Sequence, residues 1–360
     1  MHSVQSTDLR AGYAGSKKGN SEMYLIDPEI KQYKANLHAH SNLSDGARTP
    51  EELKKMYKDR GYSILSITDH EYPKSHSDIS EKDFLMLTGY EAYIRSNPEG
   101  SYKIYQKEVH LNLFARDPRN ETLICFNRPY VRYMTDEVLA ERKRAGSEEQ
   151  RTYTAEYVNM FIRTAIENGY IVAYNHPYWS IENYSDVMSY EGIFSMEMCN
   201  YTSHVTSGLE YNGALYNSLL YSGKRLFCHS GDDNHNRREE GDPEFDSFGA
   251  FTMVISGALE YGQVFSALEK GDMYSSTGPL IKCVSLEEGI LHVETSPAEH
   301  IYVYNGSKKP YRVHRKSGEE PITSADFEVK DSILYLRVSV EDANGKRADT
   351  RGYFRDELGM

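Results

Sequence analysis

The chain has 360 residues, a formal net charge of -13 and four cysteines. This length accommodates one barrel-sized unit plus a small second one, while the acidic balance argues against binding to nucleic acid or to anionic membranes, which needs a basic face. No stretch is apolar for the roughly eighteen residues of a membrane span and no apolar signal region opens the sequence, so a cytoplasmic location is expected.

In chain order, residues 1–32 read as an N-terminal extension. Tyr33 to His40 then reads as a strand, whose period of two aims His38 and His40 at one face, just upstream of Asp45 in the turn Ser44-Asp45-Gly46. Imidazole and carboxylate are usual ligands of zinc, manganese and iron, but an HxH pair alone is as often structural. Thr49-Pro50-Glu51-Glu52 caps a helix that ends at Gly61. The apolar run Ser63 to Thr68 leads into Asp69-His70, and Phe84 to Tyr90 ends at Glu91. Val109 to Phe114 alternates with period two and carries His110 at its start.

The charge-rich stretch 117–154, with Glu137, Glu141, Arg142, Lys143, Arg144, Glu148 and Glu149, is expected to be a solvated helical insertion. A helix follows from Thr154 to Gly169, then a strand, Tyr170 to Tyr174, running into Asn175-His176-Pro177. Phe194 to Cys199 reads as a strand, Leu209 to Tyr221 as a helix, and Arg225 to Ser230 as a strand opening onto Gly231-Asp232-Asp233-Asn234-His235. A strand over Phe248 to Ile255 and a helix over Leu259 to Lys270 complete an α/β alternation that predicts parallel strands joined by crossovers, in number close to a small barrel. In such a barrel the ligand-type residues share one rim. Cys125, Cys199, Cys228 and Cys283 are dispersed in apolar contexts and read as reduced packing residues.

Taken together, HAHSNLSDG, ITDH, GYE, VHLNLF, NHP and GDDNH resemble the PHP (polymerase and histidinol phosphatase) superfamily of metal-dependent hydrolases. The resemblance implies a distorted seven-stranded βα barrel over residues 33–279, with two or three divalent metal ions, manganese, iron or zinc, at the strand ends. His38 and His40 would share one metal with Glu91 and Asp233. Asp45 would join His70 and His235 on a second, and Glu91 would bridge to a third completed by His110 and His176. Within GDDNH the family pattern aligns Asp233 rather than Asp232. The segment Glu269 to Pro279, with the β-rich tail ending in Asp342-Ala343-Asn344-Gly345, resembles a subgroup that includes a bacterial carbaryl (carbamate ester) hydrolase. It implies a small C-terminal all-β, sandwich-like domain over residues 280–360.

The expected activity is hydrolysis of a small phosphorylated metabolite or nucleotide by a metal-bound hydroxide, since no serine or cysteine nucleophile motif, Gly-rich phosphate loop or Cys-x-x-Cys is present. A carboxyl or carbamate ester hydrolase and a non-catalytic metal-binding protein are the alternatives. Asp69 and His204 are candidates for proton transfer, although a supporting or ordinary polar role suits each better. Arg95, Arg128, Arg237 and Arg238 are candidate phosphate clamps, because guanidinium pairs bidentately with phosphate oxygens; solvated surface arginine is the plainer reading of each. Asp232 to Asn236 superficially matches a calcium loop, but Arg237 stands where the sharp turn needs glycine.

Overall fold

The computed structural model describes residues 17–18, 22–97 and 105–360. Seven strands form the part of the main sheet that carries the ligand-type residues. In spatial order they are Phe227–Gly231, Ile193–Asn200, Tyr170–Tyr174, Glu108–Ala115, Leu85–Arg95, Ile64–Ile67 and Gln32–Asn36. Three of these strands, Ile64–Ile67, Glu108–Ala115 and Tyr170–Tyr174, are buried along their whole length, as strands covered on both faces are.

The expectation of uniformly parallel strands needs correction. Glu108–Ala115 is antiparallel to both of its neighbours, and Phe251–Ile255 is antiparallel to Gln32–Asn36. The two strands meet end to end: Ser96 N–H donates to Lys107 O at 3.0 Å and Arg95 pairs with Glu108, so the second strand runs back along the first. The reversal has a functional consequence, because it brings the start of Glu108–Ala115, with His110, to the rim where its neighbours end.

No backbone ladder joins Phe227–Gly231 back to Gln32–Asn36. The sheet nevertheless curls, because Ser230 N–H donates to Thr252 Oγ1 at 3.0 Å and Thr252 Oγ1 donates to Ser230 O at 2.8 Å. Helices pack against this sheet. Pro50–Asp59 starts with a capping box in which Thr49 and Glu52 satisfy each other's backbone amides. Ala155–Glu167 buries Val158, Phe161, Ile162 and Ala165 at the spacing expected of an amphipathic helix. The helix expected from Leu209 begins only at Gly213, because Tyr211 bridges Cys199 and Asn212 N–H donates to Met198 O.

The stretch 117–154 is not a solvated helix. It holds one short helix, Asp136–Glu141, and a parallel pair of two-residue strands, Leu123–Ile124 and Arg144–Ala145. Leu123, Ile124, Cys125, Val131, Met134 and Leu139 are buried in the main core, so its apolar residues rather than its charges decide its packing.

Beyond Phe251–Ile255 the main sheet continues into the β-rich C-terminal region through Met273–Ser276 and Arg347–Thr350. A second sheet pairs Ile281–Glu287 with Glu22–Ile26, so part of the expected N-terminal extension is built into that region. Residues 1–16 and 19–21 of the extension lie outside the described residues. All four cysteines are buried and free, and no helix among the described residues is long and apolar enough to cross a membrane.

Asp272, between Tyr261–Lys270 and Met273–Ser276, supplies a pH prediction. Burial pushes its carboxyl up to about 6, with Arg351 and Lys270 opposing. The folded state therefore holds this proton more tightly than the unfolded chain does. The associated stability is present at acid pH and is lost as pH rises from about 4 to about 6. Asp272→Asn is expected to raise stability at pH 8 by on the order of 2 kcal/mol and to leave it unchanged near pH 4. Urea unfolding of both proteins at the two pH values checks this; equal gains at both would refute it.

Candidate metal centre

His38 and His40 lie on an extended segment just past the strand Gln32–Asn36, anchored where His40 N–H donates to Asn234 O at 3.0 Å. Both rings are fully buried, with centroids 5.3 Å apart. The loop that follows folds back so tightly that a Cβ on Gly46 would stand 2.1 Å from His40 O, so only glycine fits there. This fold-back aims Asp45 at the cluster. Asp69 buckles the loop from below, accepting from Ser41 N at 2.7 Å and from Ser41 Oγ at 2.6 Å.

Eight of the nine expected ligands fall into three groups whose ligand atoms all lie within 4.8 Å of one another: His38, His40, Glu91 and Asp233; His40, Asp45, His70 and His235; and His70, Glu91 and His110. Glu91 is the hub. Its Oε1 lies 3.3 Å from His38 Nε2, 3.1 Å from His110 Nδ1 and 3.2 Å from His176 Nε2, so the ninth residue, His176, joins through Glu91. Glu91 Oε2 is 2.9 Å from His70 Nδ1. Asp233 Oδ1 lies 2.8 Å from His40 Nε2 and 3.2 Å from His38 Nε2.

Asp232, by contrast, faces away. Its carboxylate accepts from the backbone amides of Phe248, Gly249 and Ala250 and from Tyr57 OH. The two adjacent aspartates part company because Asp233 adopts a left-handed φ of 54°, which Asp tolerates better than most residues.

The donor set fits divalent cations. His38 Nε2, both ring nitrogens of His40, Asp45 Oδ1, His70 Nδ1 and Asp233 Oδ1 are buried without a hydrogen bond of acceptable geometry. Buried polar atoms are seldom left so without another partner. Burial, with His70 and His235 beside it, pulls His40 down to about 3, so that ring is neutral. Burial opposes ionisation of Asp45, Glu91 and Asp233, yet the surrounding imidazoles hold all three carboxyls below their usual range. Ionised carboxylate and neutral imidazole are the states a metal requires; the carboxylates and His40 meet this, whereas, against the effect of burial, the same carboxylates raise His38, His110 and His235, so their protons would be displaced on binding a cation.

The cluster opens into a cleft of about 590 Å³ whose walls include Trp179, Thr202, Thr206, Arg237 and Arg238. Of the arginines named from sequence, Arg237 reaches the site, its Nη2 lying 2.8 Å from Asp45 Oδ2. Arg95 instead bonds Glu108 at 3.4 Å, and Arg128 engages Asp136 and the Val131 carbonyl; neither lines the cleft. His204 sits on the helix Tyr201–Ser207, which presents Thr202, Ser203 and Thr206 to the cleft instead.

Sequence reasoning passed over Glu197. It is fully buried mid-strand; its Oε1 lies 2.8 Å from His38 Nδ1, and its Oε2 accepts from His176 N at 2.9 Å and from Asn200 Nδ2 at 3.0 Å. The signal was there: one acid inside the apolar run Ile193–Asn200. Such a carboxylate fixes the tautomer of His38 and leaves Nε2 free to face a metal. Glu197→Gln is expected to weaken metal binding by about 10- to 100-fold. Metal titration by calorimetry measures it, and an affinity within twofold of the parent protein would remove Glu197 from this role.

No curated protein matches the sequence. Among solved structures, the chain is similar to a two-domain protein from Bacteroides vulgatus named as containing a predicted PHP-like metal-dependent phosphoesterase, at 15% identity over 92% of this chain and 96% of the other, with TM-score 0.45. A protein from Bifidobacterium adolescentis, named as an inferred metal-dependent phosphoesterase, matches at 15% identity over 61% of this chain and 94% of its own, with TM-score 0.36. An amidohydrolase from Chromobacterium violaceum, with bound sulfate and no metal, matches at 17% identity over 56% and 87%, with TM-score 0.36. Overlaps this loose carry no functional assignment. The sequence itself is more informative: residues 36–187, which hold His38, His40, Asp45, His70, Glu91, His110 and His176, match the PHP domain family.

Proposed function

We propose that the protein is a metal-dependent phosphoesterase that hydrolyses a small phosphorylated metabolite or nucleotide. The observation that carries this reading is the convergence of buried, unpartnered ligand atoms on a cleft that also holds Arg237 and Arg238. His38, His40, Glu91 and Asp233 would hold one cation, Asp45, His70 and His235 a second, and Glu91, His110 and His176 a third, with manganese, iron or zinc as the ions. Bound cations supply Lewis acidity and acidify water enough for attack at neutral pH. In this reading the seven strands act as a distorted PHP-type barrel, and the C-terminal β region is a stabilising appendage.

The chain's own groups orient the reactants. Arg237 stands beside Asp45, where its guanidinium can turn to pair with two phosphoryl oxygens. Glu197 holds His38, and Asp69 is committed to Ser41 and Ser44, so it positions the loop rather than delivering a proton. The test is to load the protein with manganese, iron or zinc and to assay phosphomonoesters, phosphodiesters and aryl carbamates. Chelator-sensitive turnover of a phosphate ester is expected. No turnover at occupied sites would sink the enzyme reading, and preference for carbamates would replace the phosphoester.

A further inference from the structure

Trp179 is the only tryptophan in the chain and is 43% exposed, an unusual placement for a large apolar side chain in a cleft otherwise lined by polar groups. Its ring packs close to perpendicular against His110 and His176, with centroids 5.1 Å and 5.0 Å away. The short segment that carries it is pinned at both ends by a buried carboxylate. On one side the fully buried Glu210 accepts the backbone N–H of Trp179 at 2.8 Å and of Tyr178 at 3.2 Å, and is itself held by Asn212 Nδ2 at 2.7 Å. On the other, Glu182 accepts from the hydroxyls of Tyr153 and Tyr174, each at 2.6 Å, and of Tyr190. Ser180 N–H also donates to His176 O at 3.1 Å, closing the turn. A rigid aromatic ring loses little freedom when a ligand stacks on it. Trp179 adjoins His110 and His176 while Arg237 adjoins Asp45, so ring and guanidinium flank different parts of the metal-ligating cluster.

We propose that Trp179 is a specificity-determining residue, an aromatic platform that selects phosphate esters whose esterifying group carries a planar ring. The inference rests on the phosphoesterase reading and narrows it to aryl or nucleobase-bearing esters. An aromatic contact contributes about 0.5–1.5 kcal/mol beyond area burial, up to roughly a tenfold preference.

Non-hydrolysable ligands separate this inference from turnover. Manganese-loaded protein is titrated with methylphosphonate, phenylphosphonate and a 5′-phosphonate analogue of adenosine. Dissociation constants come from calorimetry, and Trp179 fluorescence, with no other indole to confuse it, reports contact with the ring. One or both ring-bearing phosphonates are expected to bind about tenfold more tightly than methylphosphonate and to perturb the emission; which of them does so distinguishes an aryl from a nucleobase source. Trp179→Phe keeps most of the preference. Trp179→Leu, apolar but without a π face, abolishes it. Equal binding of the three ligands, failure of all to bind, or a preference that survives in Trp179→Leu overturns the proposal. Ring preference without turnover of any ester would uphold the platform and defeat the phosphoesterase reading; turnover without ring preference would do the reverse.

Discussion

If the proposed reading holds, Asp233→Asn is expected to reduce hydrolysis of the ester that the metal-loaded protein turns over by on the order of a thousandfold and to lower the metal content. The size follows from comparison: removing an outer partner of a metal ligand costs about 10- to 100-fold, and removing a charged ligand itself costs more. Asparagine is the informative replacement because position 233 has φ 54°, a left-handed conformation that asparagine adopts more readily than alanine. It preserves the loop and removes one charge from an oxygen 2.8 Å from His40 and 3.2 Å from His38. Metal content by elemental analysis and activity on the ester that the parent protein turns over are the two readouts. A variant with full metal and full activity would show that Asp233 is not a ligand. Asp232→Asn is the control, since its carboxylate is occupied by three backbone amides and Tyr57; its expected effect falls on the loop 248–250 rather than on metal content.

Much of this centre is legible in the residue order, because extended segments put alternate side chains on one face and strand ends collect on a rim. His38 with His40, His70 after its apolar run and His176 in Asn175-His176-Pro177 could all be found this way. Strand direction could not, since alternation of apolar and polar residues is the same read either way; only the antiparallel pairing beside Ser96 and Lys107 shows why His110 reaches the rim from the start of its strand. Asp232 and Asp233 are chemically identical in sequence, and a single backbone torsion separates their roles. The stretch 117–154 departs from its expectation for a different reason. Its charges are dense and local, whereas the burial of Leu123, Ile124, Cys125 and Val131 depends on partners distant in sequence. Arg95 and Arg128 are not brought to the cleft because acidic neighbours, Glu108 and Asp136, hold them elsewhere.

The same stretch also explains the second large effect, expected at Arg151. This side chain is fully buried, and its Nη2 lies 2.8 Å from Oε2 of the equally buried Glu71. It further donates to the carbonyls of Tyr93, Cys125 and Ile124, while the rings of Tyr130 and Phe161 lie 4.5 Å and 5.2 Å from the guanidinium. Glu71 follows His70 directly, its N–H donates to Glu91 O at 2.7 Å, and its Oε1 accepts from Tyr93 N at 3.0 Å. The ion pair thus ties the stretch 117–154 to the backbone of two candidate ligands. Arg151→Met leaves a buried carboxylate without its partner, which costs about 3–5 kcal/mol, whereas replacing both members of such a pair costs much less. Urea unfolding should show that loss for the single variant and a smaller one for Glu71→Gln/Arg151→Met. Metal affinity should fall in the single variant as well, because the displaced Glu71 backbone carries His70 and Glu91 with it. A stability loss below about 1 kcal/mol, the scale of an exposed pair, would mean that water reaches Glu71 and that the pair does not brace the site.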